Sequence, residues 1–428
     1  MAQQQALPRP SRSITMAWIL DQNSDLLWYI GSALVGWLYV GIIFLAVRLL
    51  DDPNTGEFFR IQLGGLVIPV TMRFLVYSSW AFLIDAPHVW STLARTFFDP
   101  EERQIRRREL RFSWLWFGLG PAAVLLPHLI NLALKPFGLA LPLLGLQLSV
   151  IAFYVFFRIW AYYHVVRQHW GFFMLYKRKN NDMTPEANRV DTWAFNLLLY
   201  SPLVMFITGP IYGRTPGMPP LGIELLRWGS FSLPGALYYV AWATFLATLL
   251  FWIGYQVRLW RRGEPLNGPK LLLMLPIIPL HLLAFNNPWL AALLVPIVTV
   301  GHNIQYHRIV WQFGQNKYVK PNPQSGFAIT RFLFSRAWIY LAAGLLFTFA
   351  LYRGPWIDWI QAATGIALDK SVFAGVGMMA GLENPLGLTV GQQLFGALLM
   401  GWAMQHYYLD SKIWRVGHDK TVAKQLNV

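Results

Sequence analysis

Six histidines stand at the ends of apolar runs in this sequence, and imidazoles in such places can bind a metal ion. His164 and His169 close one long run, His302 and His307 follow WLAALLVPIVTV, and His88 and His406 end two further runs singly. Basic residues follow the two pairs: Lys177, Arg178 and Lys179 after the first, Arg308, Lys317 and Lys320 after the second. Cysteine is absent, so thiolate sites and iron–sulfur clusters are excluded and any metal must be held by histidine and carboxylate. Two carboxylates are suitably placed. Asp85 precedes His88 by three residues and Asp410 follows His406 by four. At one helical turn, each is a further ligand or an orienting partner for the ring.

The spacing limits each pair. Five residues of regular α-helix turn through about 500°, roughly 140° away from a shared face. The two members therefore point to different ions unless a π-bulge swings them together, and Gly171 and Gly314 mark where such loosening would fall. With two ions the set divides into His88, His164, His169 and His302, His307, His406. His128 and His281, each beside prolines, and His418 near the carboxyl terminus are expected to stay apart from it.

Elements that position these residues follow from composition. The 428 residues are 55% hydrophobic and 16% aromatic, too apolar for an ordinary soluble domain of this length. The expectation is an all-α polytopic membrane protein. Taking about 20 apolar residues per crossing gives ten spans, near 27–49, 62–84, 113–133, 143–170, 191–210, 232–257, 270–285, 289–310, 333–351 and 391–411. The whole chain, 1–428, then forms one integral membrane domain with a core over 26–411. Tails 1–25 and 412–428 flank it, and 352–390 is an outer-side loop or short re-entrant element. The first 25 residues carry no apolar core followed by a small-residue cleavage site.

A net charge of +15 raises the question of nucleic acid, but the basic residues lie in short clusters between apolar runs, which the positive-inside rule explains. Arg103, Arg106, Arg107, Arg108 and Arg111 fall in the loop 85–112, and Arg258, Arg261 and Arg262 in 258–269; the opposite loop 50–61 carries Asp51, Asp52 and Glu57. Loops 85–112, 171–190, 258–269 and 311–332 and both termini are therefore expected in the cytoplasm of a cell with a bacterial-type inner membrane. At about 1.5 Å per residue, His302 lies roughly 20 Å and His406 roughly 22 Å from the outer boundary. With His88, His164, His169 and His307 near the cytoplasmic boundary, six imidazoles share one slab, and ionisable groups at such depth mark function.

Histidine motifs at the cytoplasmic ends of membrane helices resemble those of the integral-membrane non-haem iron enzymes, the fatty acid desaturase and hydroxylase group. The HxxxxH forms at His164/His169 and His302/His307 are similar to that group's first histidine box. More distantly, isolated histidines on several helices resemble the layout of the Brp/Blh-type bacterial carotene dioxygenases. The resemblance implies one or two non-haem iron ions, dioxygen, a lipid or isoprenoid substrate entering from the bilayer, and an electron-donor protein as partner. A rival reading from another class is a transporter whose polar cluster binds a proton, cation or anionic lipid, for which Pro276 and Pro279 would break a helix. A third is a haem- or quinone-binding subunit of a larger complex.

Overall fold

The computed structural model describes residues 13–50, 56–63, 66–215, 221, 223, 226–228, 230–320, 327–352, 390–417 and 419–426. The expected segment 352–390 and His418 therefore lie almost wholly outside the described residues. Long helices dominate: α1 (Ala33–Leu49), α2 (Met72–Trp80), α3 (Ala86–Thr96), α4 (Trp116–Leu134), α5 (Leu143–Lys179), α6 (Pro185–Thr208), α7 (Leu233–Arg261) and α8 (Gly268–Asn286). After these come α9 (Leu294–Gly314), α10 (Ala328–Ser335), α11 (Ala337–Phe347), α12 (Val390–Ile413) and α13 (Lys420–Leu426).

Among the described residues, five helical stretches are long and apolar enough to cross a membrane: Arg107–Phe137, Leu148–Lys179, Pro185–Thr208, Leu233–Arg261 and Gly268–Asn286. Two bent pairs raise the number to seven, Gln22–Ile30 with α1 at 43° and α10 with Ala337–Tyr352 at 105°. The chain is thus a helical membrane protein. α9 and α12 have the length but not the hydropathy, and the reason is physical. They carry His302, Asn303, Gln305, Gln405 and His406, all buried against other helices rather than facing lipid. In contrast α7 turns Tyr239, Val240, Leu250 and Phe251 outward, as a helix at the lipid boundary does.

The expected span 62–84 does not form as one helix. Strand Glu57–Leu63 pairs antiparallel with Leu66–Thr71, Ile61 opposite Ile68, and α2 begins only at Met72, where Thr71 Oγ1 accepts from Phe74 N at 3.1 Å. The run LVIPVT is β-branched and contains Pro69, which resists helix, so apolarity alone misplaced the start. From Met72 the chain is helical to Thr96, broken by one π-helical turn at Ala81–Asp85. Pro87 lies just beyond that turn, lacking an N–H and crowding the preceding carbonyls, so the wider turn sits where a regular one would clash.

α9 is the axis of the fold. It packs against α1, α3, α5 and α8. Small residues bring α1 and α9 close: a Cβ on Gly36 would lie 2.8 Å from Ile297 O, and one on Gly301 would lie 3.1 Å from Ala33 Cα. At one end of α5, α6, α7 and α8 a buried ionic cluster ties four elements. Asp191 accepts from Lys177, from Lys270 Nζ at 3.0 Å and from Trp252 Nε1 at 3.0 Å, while Lys270 also reaches Asp182 at 2.6 Å. Two lysines against two aspartates leave no unpaired charge, the condition for such a cluster to be tolerated in the interior. The segment before α1 docks beside it. Ile14–Thr15 pairs with Leu266–Asn267, and the Asn180 side chain brackets Ala17 with two bonds of 2.9 Å.

Candidate metal centre

His88 lies in the first turn of α3, directly after Pro87 and the π-turn before it; His164 lies in the middle of α5, His302 in α9 and His406 in α12. All four are buried. One ring nitrogen each of His88, His164 and His406 lie within 4.8 Å of one another, a group that could hold a metal ion. The Nε2 atoms of these three are buried and have no hydrogen-bond partner, and the same is true of His302 Nδ1. Orphaned imidazole nitrogens are costly in a membrane interior. Metal ligation is one way to satisfy them.

Ring separations fit one ion. A nitrogen bound at about 2.1 Å places its ring centroid roughly 3.2 Å from the metal, so rings at right angles lie about 4.5 Å apart and opposed rings about 6.4 Å. His88 and His164 are 6.2 Å apart. His406 stands 4.2 Å from His88 and 4.8 Å from His164, and His302 stands 5.0 Å and 4.9 Å from the same two. His88 and His164 thus occupy opposed places, with His406 and His302 each beside both.

A second polar layer lies one helical turn on. Thr92 follows His88 by four residues, Tyr306 follows His302 by four and Asp410 follows His406 by four, so each shares its histidine's helix face. Thr92 Oγ1 and Tyr306 Oη both donate to Asp410 Oδ1, at 2.9 Å and 2.5 Å, and the two hydroxyl oxygens lie 2.6 Å apart. Thr92 Oγ1 also lies 2.6 Å from His406 Nδ1. With Thr92's single proton on the carboxylate, its oxygen accepts from His406 Nδ1–H, which leaves the Nε2 lone pair turned to the shared space. Asp410 Oδ2 stands beside that space, 3.7 Å from His406 Nε2 and 3.8 Å from His164 Nε2.

The other expected residues are placed differently. α5 and α9 stay regular through their histidine pairs, with no π-bulge, so His169 and His307 turn away from their partners. His307 lies 6.3 Å from His88, but both its nitrogens are engaged, Nδ1 by Ser91 at 3.1 Å and Tyr340 at 3.3 Å, Nε2 by Ile84 O at 3.2 Å. His169 is buried with Nδ1 unpartnered, 6.1 Å from His302. Asp85 turns to Asn303 Nδ2 at 3.2 Å. His281, expected to stay apart, instead lies 5.8 Å from His169 and 2.9 Å from the Tyr162 hydroxyl. Tyr162 donates to Leu199 O at 2.6 Å, so His281 Nδ1–H is the donor of the pair. His281 is buried inside α8 together with Ile277, Ile278 and Leu280, which the pattern PIIPLH does not reveal. His128 is half-buried on α4.

A cavity of about 160 Å³ is lined by His88, His164 and His302 together with Trp80, Phe157, Tyr162, Phe206, Val298 and their neighbours. No protein-family model matches the chain, nor does any curated protein or solved structure.

Proposed function

We propose that this chain is a membrane-bound, histidine-ligated non-haem iron oxidoreductase, a desaturase, hydroxylase or oxygenase acting on a lipid or isoprenoid hydrocarbon. The observation that carries this reading is the cluster of buried, unpartnered imidazole nitrogens beside a mostly apolar cavity. His88, His164, His302 and His406 would hold the ion, with Asp410 beside it. A nitrogen-and-oxygen donor set without cysteine suits iron, and a bound iron with open positions supplies dioxygen binding and electron transfer.

The chain's own residues do the rest. The apolar wall excludes water and orients a hydrocarbon against the histidines, as hydrophobic pockets with a few polar groups do. Thr92 fixes the His406 tautomer, and Tyr306 shares with Thr92 the task of holding Asp410. Electrons arrive from a donor protein on the cytoplasmic side.

Ten crossings with both termini in the cytoplasm belong to the same proposal. Its support is the gathering of the basic segments: residues 13–20 dock against Asn180 and Leu266, while Arg106 pairs with Asp419 at 2.5 Å and Asn316 with Gln425 O at 2.6 Å. A reporter fused after Val428 should read as cytoplasmic, and a periplasmic reading overturns the topology. For the activity, iron(II)-loaded protein in liposomes with dioxygen, a reductant and a panel of acyl and isoprenoid lipids should give oxygen uptake and an oxidised or desaturated product. That turnover should vanish in His164→Ala. Turnover unchanged in that variant, or metal-dependent flux of an ion across the liposome without lipid oxidation, would replace the enzyme by the transporter.

A further inference from the structure

The histidine layer is reached from two sides. A second cavity, of about 690 Å³, touches His164 and Asp410 from beyond the wall that His164 and Tyr407 make, their rings 4.6 Å apart and common to both cavities. The lining of the second differs in kind from the first. Arg167 and Arg178 of α5 and Arg415, just past α12, face it, and Asp410 is the single acidic residue among the lining. That carboxylate is already engaged by Thr92 and Tyr306. Arg167 and Arg178 have no ion-pair partner among the described residues, and Arg415 gives only Nε, to Ser411 O at 3.0 Å.

Arg167 and Arg178 are eleven residues apart, which on a helix is about 20° of rotation and roughly 16 Å of rise, so they share one face. Between them on that face is Gly171, and a Cβ there would meet nothing within 4 Å, so the groove floor is open. Trp160, Trp170 and Trp414 line the same space. The positive-inside rule asks only for charge on one side of a membrane; it does not ask that guanidinium groups without ion-pair partners and indoles line a cavity that touches His164 and Asp410. Arginine carries its charge at every physiological pH and offers a planar fork matched to the oxygens of phosphate or carboxylate.

We propose that this cavity binds an oxyanion-bearing ligand, a phosphate or carboxylate compound with an apolar or aromatic portion, along the Arg167–Arg178 face of α5 and under Arg415. The anionic group sits on the guanidinium groups and the apolar portion packs on the indoles. A lipid headgroup and a soluble phosphate ester share this chemistry. The proposal stands on the cavity and its charges and does not require that the histidines hold iron.

The test uses the full-length protein in nanodiscs of zwitterionic lipid. Inorganic pyrophosphate is titrated while tryptophan fluorescence and heat are followed, and in a parallel arm phosphatidylglycerol is added to the discs and the lipids retained are counted by native mass spectrometry. Saturable pyrophosphate binding identifies a soluble ligand; retained phosphatidylglycerol that excludes pyrophosphate identifies a headgroup. In either arm Arg167→Gln/Arg178→Gln and Arg415→Gln should weaken binding at least about tenfold with metal content unchanged. The control Arg103→Gln/Arg108→Gln, exposed like the three arginines tested but not lining the cavity, should bind like the parent. Absence of saturable binding in both arms overturns the proposal. So does equal weakening by the control pair, which would reduce the effect to general surface charge.

Discussion

Replacing Thr92 with valine keeps the volume of the side chain and removes one hydroxyl. That hydroxyl lies 2.6 Å from His406 Nδ1, 2.6 Å from Tyr306 Oη and 2.9 Å from Asp410 Oδ1. Tyr306 keeps its own bond to Asp410 at 2.5 Å, so the group left short is His406 Nδ1, buried in the interior. A buried polar atom deprived of its partner costs about 1–3 kcal/mol of stability. The ring also loses the contact that fixes its tautomer, and loss of such an outer partner lowers metal affinity about 10–100-fold, which is about 1.4–2.8 kcal/mol. Competition against a graded chelator, with iron per chain read by elemental analysis, should place Thr92→Val in that interval. Thr92→Ser should restore most of the affinity, and His406→Ala should lose the ion at every chelator concentration. If Thr92→Val melts earlier yet binds the ion as tightly as the parent, the Thr92–Tyr306–Asp410 layer is packing alone and does not orient His406 for the ion.

Other consequences follow from the same contacts. Asp191→Ala leaves Lys177 and Lys270 buried and short of a counter-charge, so it should cost about 3–5 kcal/mol, read as a large fall in thermal midpoint in detergent, with metal stoichiometry of the surviving folded fraction unchanged. His307→Ala should retain the ion, because both ring nitrogens already bond Ser91, Tyr340 and Ile84; it should lower stability by about 1–3 kcal/mol, whereas loss of metal would make His307 a ligand. Gly36→Leu, which drives a side chain into Ile297 O and Leu280, should separate α1 from α9 and destabilise the fold, checked by protease resistance at fixed temperature.

Much of the helical plan is legible in the sequence, because apolar runs of crossing length declare themselves. What misleads is the assumption that apolarity means helix: LVIPVT at 66–71 reads as the start of a span, but β-branching and Pro69 make it a strand paired with Glu57–Leu63. α9 and α12 fall at the expected spans 289–310 and 391–411, though their interior faces are polar because they pack on protein, so a hydropathy threshold alone understates them. The histidines are visible as residue types at run ends, and four of them meet. Two things were not visible. The Thr92–Tyr306–Asp410 layer had a signal in the repeated four-residue offset from His88, His302 and His406, but only Asp410, being charged, drew notice. His281 had none, since its nearness to His169 depends on how α8 packs against α5.

The central claim is that His88, His164 and His406 bind a metal ion. Elemental analysis of the purified protein, in moles of metal per chain, tests it most directly, with the three single alanine variants and His128→Ala measured alongside. The account predicts about one iron ion per chain, since among the described residues His88, His164 and His406 offer nitrogens close enough to share one and His302 stands beside them; it should be lost in each of the three variants and retained in His128→Ala. Stoichiometric metal that survives in all three variants, or no metal in a folded parent reconstituted with iron(II), would contradict it.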